Sequence, residues 1–191
     1  MILLLGCTTL HTVDGAKTLD VKQVQIGAAG SIQGRQNAAS VATGIPVAQG
    51  ELALRVGVAE NVDVGTRLYI GGLYADMRYR FAQPGRWHLA VAPGVGGLML
   101  PIPAFPAGTL DVRSPLRATR DLSEHWDLNL GVTPMARRQL GAFDTYLGAN
   151  VGLEAHWPRF YIGAGGDWLV QPAYGYKPAW VVGMSLGFRS R

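Results

Sequence analysis

The chain has 191 residues, 26 of them glycine; 16% of the residues are charged, 48% are apolar, and the formal net charge is +4. One domain is the natural count at this size, and a charge-poor, glycine-rich chain with ordinary apolar content does not fit a disordered protein. The single cysteine excludes an internal disulfide and a cysteine-based zinc cluster, and no apolar run is long enough for a membrane-spanning helix.

The first residues read Met1-Ile2-Leu3-Leu4-Leu5-Gly6-Cys7. Leu4-Leu5-Gly6-Cys7 resembles the lipobox of bacterial lipoproteins. The resemblance implies cleavage before Cys7 and lipidation on it, with 1–6 as a shortened signal-peptide remnant. Thr8 follows where the family places Asp for inner-membrane retention, which implies the outer membrane. Residues 7–20 then read as a polar, lipidated tether, and 21–191 as the folded domain.

From Val21 onward the dominant pattern is alternation, the period of a strand. In 51–58, Leu52, Leu54, Val56 and Val58 oppose Glu51 and Arg55; in 62–70, Val62, Val64, Leu68 and Ile70 oppose Asp63 and Arg67. In 73–81, Leu73, Met77, Tyr79 and Phe81 oppose Asp76, Arg78 and Arg80. The pattern returns at 126–132, 145–155 and 180–188. Ten strands follow: 22–32, 48–58, 62–70, 73–82, 86–98, 109–120, 125–134, 144–156, 159–169 and 178–188. Most exceed the usual five or six residues of a globular strand and match the roughly 9–11 needed to cross an outer membrane. Short connections near 60–61, 83–85, 122–124 and 157–158 alternate with longer ones at 33–47, 99–108, 135–143 and 170–177, with Gly71-Gly72 as a tight exception. That asymmetry suits a membrane barrel. The predicted fold is all-β, a closed antiparallel up-and-down transmembrane barrel of ten strands. A count of eight follows instead if 62–82 is one bent strand and one further run is not a strand. An even count leaves both termini on the short-turn, periplasmic side.

The aromatics Trp87, Trp126, Phe160, Trp168, Trp180 and Phe188 fall near strand ends on the apolar face, as an interfacial girdle requires. The opposite face carries Glu51, Arg55, Asp63, Arg67, Asp76, Arg78, Arg80, Asp111, Arg113, Arg117, Asp127, Glu154 and Asp167. Arginine and acid are nearly balanced there, so these residues are expected to pair as a charge network filling a narrow lumen. Gly183-Met184-Ser185-Leu186-Gly187-Phe188 resembles the terminal strand signal read by the barrel assembly machinery, although Arg189-Ser190-Arg191 follows the aromatic. As a whole, 21–188 resembles a small Gram-negative outer-membrane β-barrel. The resemblance implies lipid and lipopolysaccharide as surroundings and the assembly machinery as a partner in biogenesis.

Gly94-Val95-Gly96-Gly97 sits in a strand pattern and does not open a helix, so it is no nucleotide loop. Basic residues alternate with acids rather than forming a patch, which argues against nucleic acid. Histidines 88, 125 and 156 map to the short-turn rim, away from the outer strand ends where the barrel proteases of the omptin family place Asp and His; no catalytic residues, metal or cofactor are assigned. The expected role is structural or interactive through the outer loops, with an extracellular protein as one kind of partner. Two alternatives stand beside it: a narrow small-solute channel, and a soluble lipocalin-like barrel with an apolar interior for a lipophilic ligand.

Overall fold

The computed structural model describes residues 15–35, 47–69, 71–98, 109–139, 142–171 and 179–190. Twelve strands are present: β1 (Val24–Arg35), β2 (Val47–Ala59), β3 (Val62–Tyr69), β4 (Gly72–Ala82), β5 (Trp87–Val91), β6 (Gly94–Leu98), β7 (Thr109–Arg113), β8 (Leu116–Asp121), β9 (Trp126–Gln139), β10 (Ala142–His156), β11 (Phe160–Val170) and β12 (Ala179–Arg189). All pair antiparallel. β12 pairs with β1, and β9 pairs with both β8 and β10, so the sheet closes on itself and leaves no free edge.

Ten staves form this ring, because β5 with β6, and β7 with β8, are each one strand interrupted by proline. The register is unchanged across the interruptions: Asp76 pairs Gly94 and Tyr79 pairs Val91 on one line, as Gly94 with Arg113 and Val91 with Leu116 do on the next. Pro93 and Pro115 have no N–H to give to the ladder. Their carbonyls still accept, from the Met77 amide at 3.0 Å and the Ala92 amide at 2.9 Å. The ten expected strands therefore correspond to the ten staves.

The boundaries differ most at two places: β1 runs over Val24–Arg35 rather than 22–32, and β9 is extended. The expected strand 125–134 continues to Gln139 as β9, and β10 begins at Ala142, so the connection expected over 135–143 shrinks to residues 140–141. Pro134 reads as a strand end, yet it sits on the outer face, and its carbonyl accepts from the Ser114 amide at 3.2 Å. The strand loses one hydrogen bond there and carries on.

The connections β2–β3, β4–β5, β8–β9 and β10–β11 lie at one end of the barrel, the short-turn end; at the other end β3–β4 and β9–β10 are also joined by only two residues each, 70–71 and 140–141. Asn61 takes a left-handed φ of 62° in the β2–β3 turn, and Gly85 one of 59° in the β4–β5 turn, conformations that asparagine and glycine tolerate. The N-terminus of β1 and the C-terminus of β12 lie at the short-turn end, since Gln25 pairs Arg189.

The wall is inside-out relative to a soluble protein. β4 alternates buried and exposed without a break from Gly72 to Tyr79. Its buried members include Asp76 and Arg78; its exposed ones are Leu73, Ala75, Met77 and Tyr79. The same inversion runs round the ring: Leu52, Leu54, Val64, Val132, Val151, Val182, Met184 and Leu186 face outward, while arginines and aspartates face in. This corrects the reading of a soluble barrel with an apolar interior, because the apolar face is the outer one.

Candidate functional site: the filled lumen

The first node of the lumen rests on β2, β3 and β4. Asp63 is fully buried and accepts from Arg55 and, at 2.6 and 3.2 Å, from Nη2 and Nε of Arg78. The other Arg55 nitrogen donates to Asp76. The residues are inward-facing on neighbouring strands, so the pairing follows from the two-residue period. The carboxylates take several charge-assisted bonds at once, which is what makes a buried charge tolerable.

A second node rests on β7 and β9. Asp111, fully buried, accepts from Arg113 at 3.0 Å and from Nε and Nη2 of Arg137 at 2.7 and 3.0 Å. Arg113 also stands over the Tyr74 ring at 4.9 Å. That ring needs room: a Cβ on Gly94 would lie 2.4 Å from the Tyr74 hydroxyl, and one on Gly96 within 3 Å of its ring. The inward glycines of β6 thus make space for an aromatic side chain from β4. A looser contact, 3.8 Å, joins Arg67 to Glu51.

The short-turn end holds a third group, and here the N-terminal segment enters the barrel. Ala16 and Leu19 are buried. The Ala16 amide donates to the Thr119 hydroxyl at 2.6 Å, the Leu19 amide donates to Asp63 at 2.9 Å, and Arg78 donates to the Gly15 carbonyl at 2.8 Å. Lys17 reaches Asp127 and Asp121, each at 2.8 Å. Residues 19–20 pass directly over Gly57, where a Cβ would lie 1.9 Å from the Asp20 carbonyl oxygen. Of the stretch read as a tether, residues 15–20 therefore lie in the mouth of the lumen, while Cys7 falls outside the described residues. Around them Arg189 donates to Glu154 at 2.8 Å, His156 stands 3.3 Å from Asp127, and His88 stands 3.3 Å from Asp121.

Toward the far end an apolar cluster packs beside buried polar residues, Arg137, Asp111, Thr109, Gln49 and Gln171 among them. Met135, Leu169, Ala179 and Val181 form a buried cluster with Tyr146 packed against it. Arg137 lies over the Tyr146 ring at 5.6 Å, joining this cluster to the Asp111 node.

Of the residues expected to face the lumen, Arg55, Asp63, Arg67, Asp76, Arg78, Asp111, Arg113, Arg117, Asp127 and Glu154 are buried there. Glu51 and Asp167 are half-buried, and Arg80 sits at the rim, where its Nε donates to the Asn61 side chain at 2.9 Å. Sequence reasoning missed Arg137, Lys17, Thr119 and Arg189. Arg137 fell in the expected loop. Arg189 continues the inward alternation past Gly187 and was set aside as a departure from the terminal motif.

Among the aromatics, Phe160 and Phe188 pair across β11 and β12 with rings 5.5 Å apart, and Trp126 is exposed at the same end. Trp168 and Trp180 pair across the same two strands at the other end. Trp87 lies at the short-turn end beneath Arg120, 5.6 Å from its guanidinium. Phe160 and Trp168 are eight positions apart, about 26 Å along a strand, which at a barrel tilt of about 40° spans about 20 Å of the roughly 25 Å height of an outer-membrane barrel's apolar band.

No family model matches the chain, and no curated protein matches it. Solved structures do. The KdgM porin, in complex with disordered oligogalacturonate, is 10% identical with a TM-score of 0.50, over 84% of this chain and 97% of that one. An outer-membrane channel from Pseudomonas putida F1 is 10% identical with a TM-score of 0.49, over 92% and 98%. The attachment invasion locus protein Ail of Yersinia pestis is 12% identical with a TM-score of 0.39, over 90% and 100%. The fold is that of outer-membrane β-barrel proteins.

Proposed function

We propose that the chain is an outer-membrane barrel with a closed lumen, acting as a structural or interaction protein through the loops at the end opposite its termini. The observation that carries this is the filling of the lumen among the described residues: the segment 15–20 in one mouth, the Asp63 charge node beyond it, and toward the other end the Asp111–Arg137 pair with the Met135–Leu169–Val181 cluster beside it. Such an interior is a packed core rather than a water path. In this reading the short-turn end and both termini face the periplasm, Cys7 carries the lipid, the outer face meets lipid and lipopolysaccharide, and an extracellular protein is the kind of partner the loops would take. The wall then has no catalytic duty.

A second reading, a narrow solute channel, draws support from one imbalance. Arg55, Arg67, Arg78, Arg113, Arg117 and Arg137 are all buried in the central lumen, against Asp63, Asp76 and Asp111 buried and Glu51 and Asp167 half-buried. A lumen that opened would favour anions. Planar-bilayer recording of the full chain separates the two. Electrical silence in 1 M salt, a condition chosen only to make small steps visible, supports the closed barrel. Anion-selective steps in the wild-type chain would replace it with the channel.

A further inference from the structure

We propose that Asp127, Glu154 and His156 form a binding site for a divalent transition-metal ion such as zinc, and that Lys17 of the N-terminal segment is its built-in competitor. One ligand atom from each of the three residues lies within 4.8 Å of the others. Asp127 and Glu154 stand directly opposite across β9 and β10, and His156 follows two residues on, at the end of β10. Two carboxylates and an imidazole are a ligand set zinc accepts, leaving a fourth position for water. A small polar cavity of about 20 Å³, lined by Lys17, Arg78, Asp127, Glu154 and Arg189 among others, adjoins the carboxylates and is the size of one water; Arg78 is itself paired with Asp63. Tetrahedral ligands at about 2.0–2.1 Å from zinc stand roughly 3.4 Å apart, so the three atoms close on the ion by small side-chain movements.

Charge gives the site its direction. Asp121, Asp127 and Glu154 are three carboxylates; Lys17 and Arg189 are two cations in contact with them. With the imidazoles neutral, one negative charge is left over. A zinc ion that takes the place of Lys17 replaces one positive charge by two and cancels the remainder. The ion needs the Asp127 oxygens that Lys17 now holds at 2.8–2.9 Å, so metal and ammonium cannot both keep them. Lys17 is part of the segment that closes the short-turn mouth, so binding the ion loosens that segment. The proposal does not depend on whether the lumen conducts.

The test is calorimetric titration of zinc chloride into the full chain in detergent, as wild type, Lys17→Gln and His156→Gln, with a heat-dependent gel shift reporting that each variant is folded. Lys17 lies off the barrel wall, so its replacement leaves the barrel able to form. The wild type is expected to bind one zinc per chain, Lys17→Gln to bind at least tenfold tighter, and His156→Gln at least tenfold weaker. Trypsin cleavage after Lys17 and Lys22 in the wild type is expected to speed up several-fold when zinc is added. Absence of zinc binding in both wild type and Lys17→Gln overturns the site. Equal affinity in wild type and Lys17→Gln, or cleavage unchanged by saturating zinc, overturns the competition. A folded His156→Gln that binds as the wild type does overturns the ligand assignment.

Discussion

Among the described residues, the two ends of the lumen are filled in different ways. At the short-turn end the closure is polar: residues 15–20 are held by Thr119, Asp63, Arg78, Asp127 and Asp121 through hydrogen bonds and ion pairs. Toward the far end a cluster of Met135, Leu169, Ala179 and Val181 packs beside the buried Arg137–Asp111 pair. A polar closure can be undone by a competitor for its partners, since each bond is exchanged for water or an ion at modest net cost. An apolar cluster has no such exchange available and comes apart only by exposing its surface to water.

The largest effect is expected where the wall and the N-terminal segment share one carboxylate. Asp63 binds Arg55 and Arg78 in the wall and the Leu19 amide of the segment. Asp63→Ala removes the carboxylate shared by two buried guanidiniums, with Arg55 still donating to Asp76 and Arg78 to the Gly15 carbonyl, and is expected to cost about 3 kcal/mol, read as a lowered urea midpoint of refolded protein. In the apolar cluster, Leu169→Ala is expected to cost about 2–3 kcal/mol by the same urea titration, at the low end of core truncations because the cluster is small. At the polar mouth, Thr119→Val removes the acceptor of the Ala16 amide. It is expected to cost only about 1 kcal/mol in global stability, while speeding trypsin cleavage at Lys17 and Lys22 several-fold. Leu169→Ala is expected to leave that cleavage unchanged. If the two variants accelerate it equally, the ends are not independent. Gly57→Ala is expected to act as Thr119→Val does, with a smaller effect on the barrel, because its methyl meets the Asp20 carbonyl while the strand itself keeps its register.

The wall was far more legible than what fills it. In 73–81 the alternation of Leu73, Met77 and Tyr79 with Asp76 and Arg78 carries the strand, its length and its two faces, because one face meets an apolar phase and the other a charged one. Over 135–139 the signal fades: Met135 and Arg137 point in while Ala136 and Arg138 point out, so neither face is uniform, and Pro134 mimics a strand end. Arg138 remains outward beside Phe143, 5.8 Å from its ring. The N-terminal segment was read as a tether because its burial rests on individual hydrogen bonds rather than on an apolar stripe. Its one visible trace is a glycine, Gly57, at an inward position of β2. The Asp127, Glu154 and His156 cluster depends on which residues of β9 and β10 face each other, and register is set by turn geometry and packing rather than by either strand alone.

The central claim is the inside-out wall, with an apolar outer face spanning an outer membrane. Its most direct test is membrane fractionation of the full chain, with a heat-dependent gel shift after detergent extraction, beside Leu54→Arg. Leu54 is exposed on the outer face of β2, and an arginine at mid-bilayer depth costs about 2–4 kcal/mol. The account predicts that the wild type is recovered in the outer membrane as a heat-shifted band, and that Leu54→Arg loses that band. Recovery of the wild type as a soluble protein without detergent, or of Leu54→Arg as folded outer-membrane protein in wild-type amount, would contradict it.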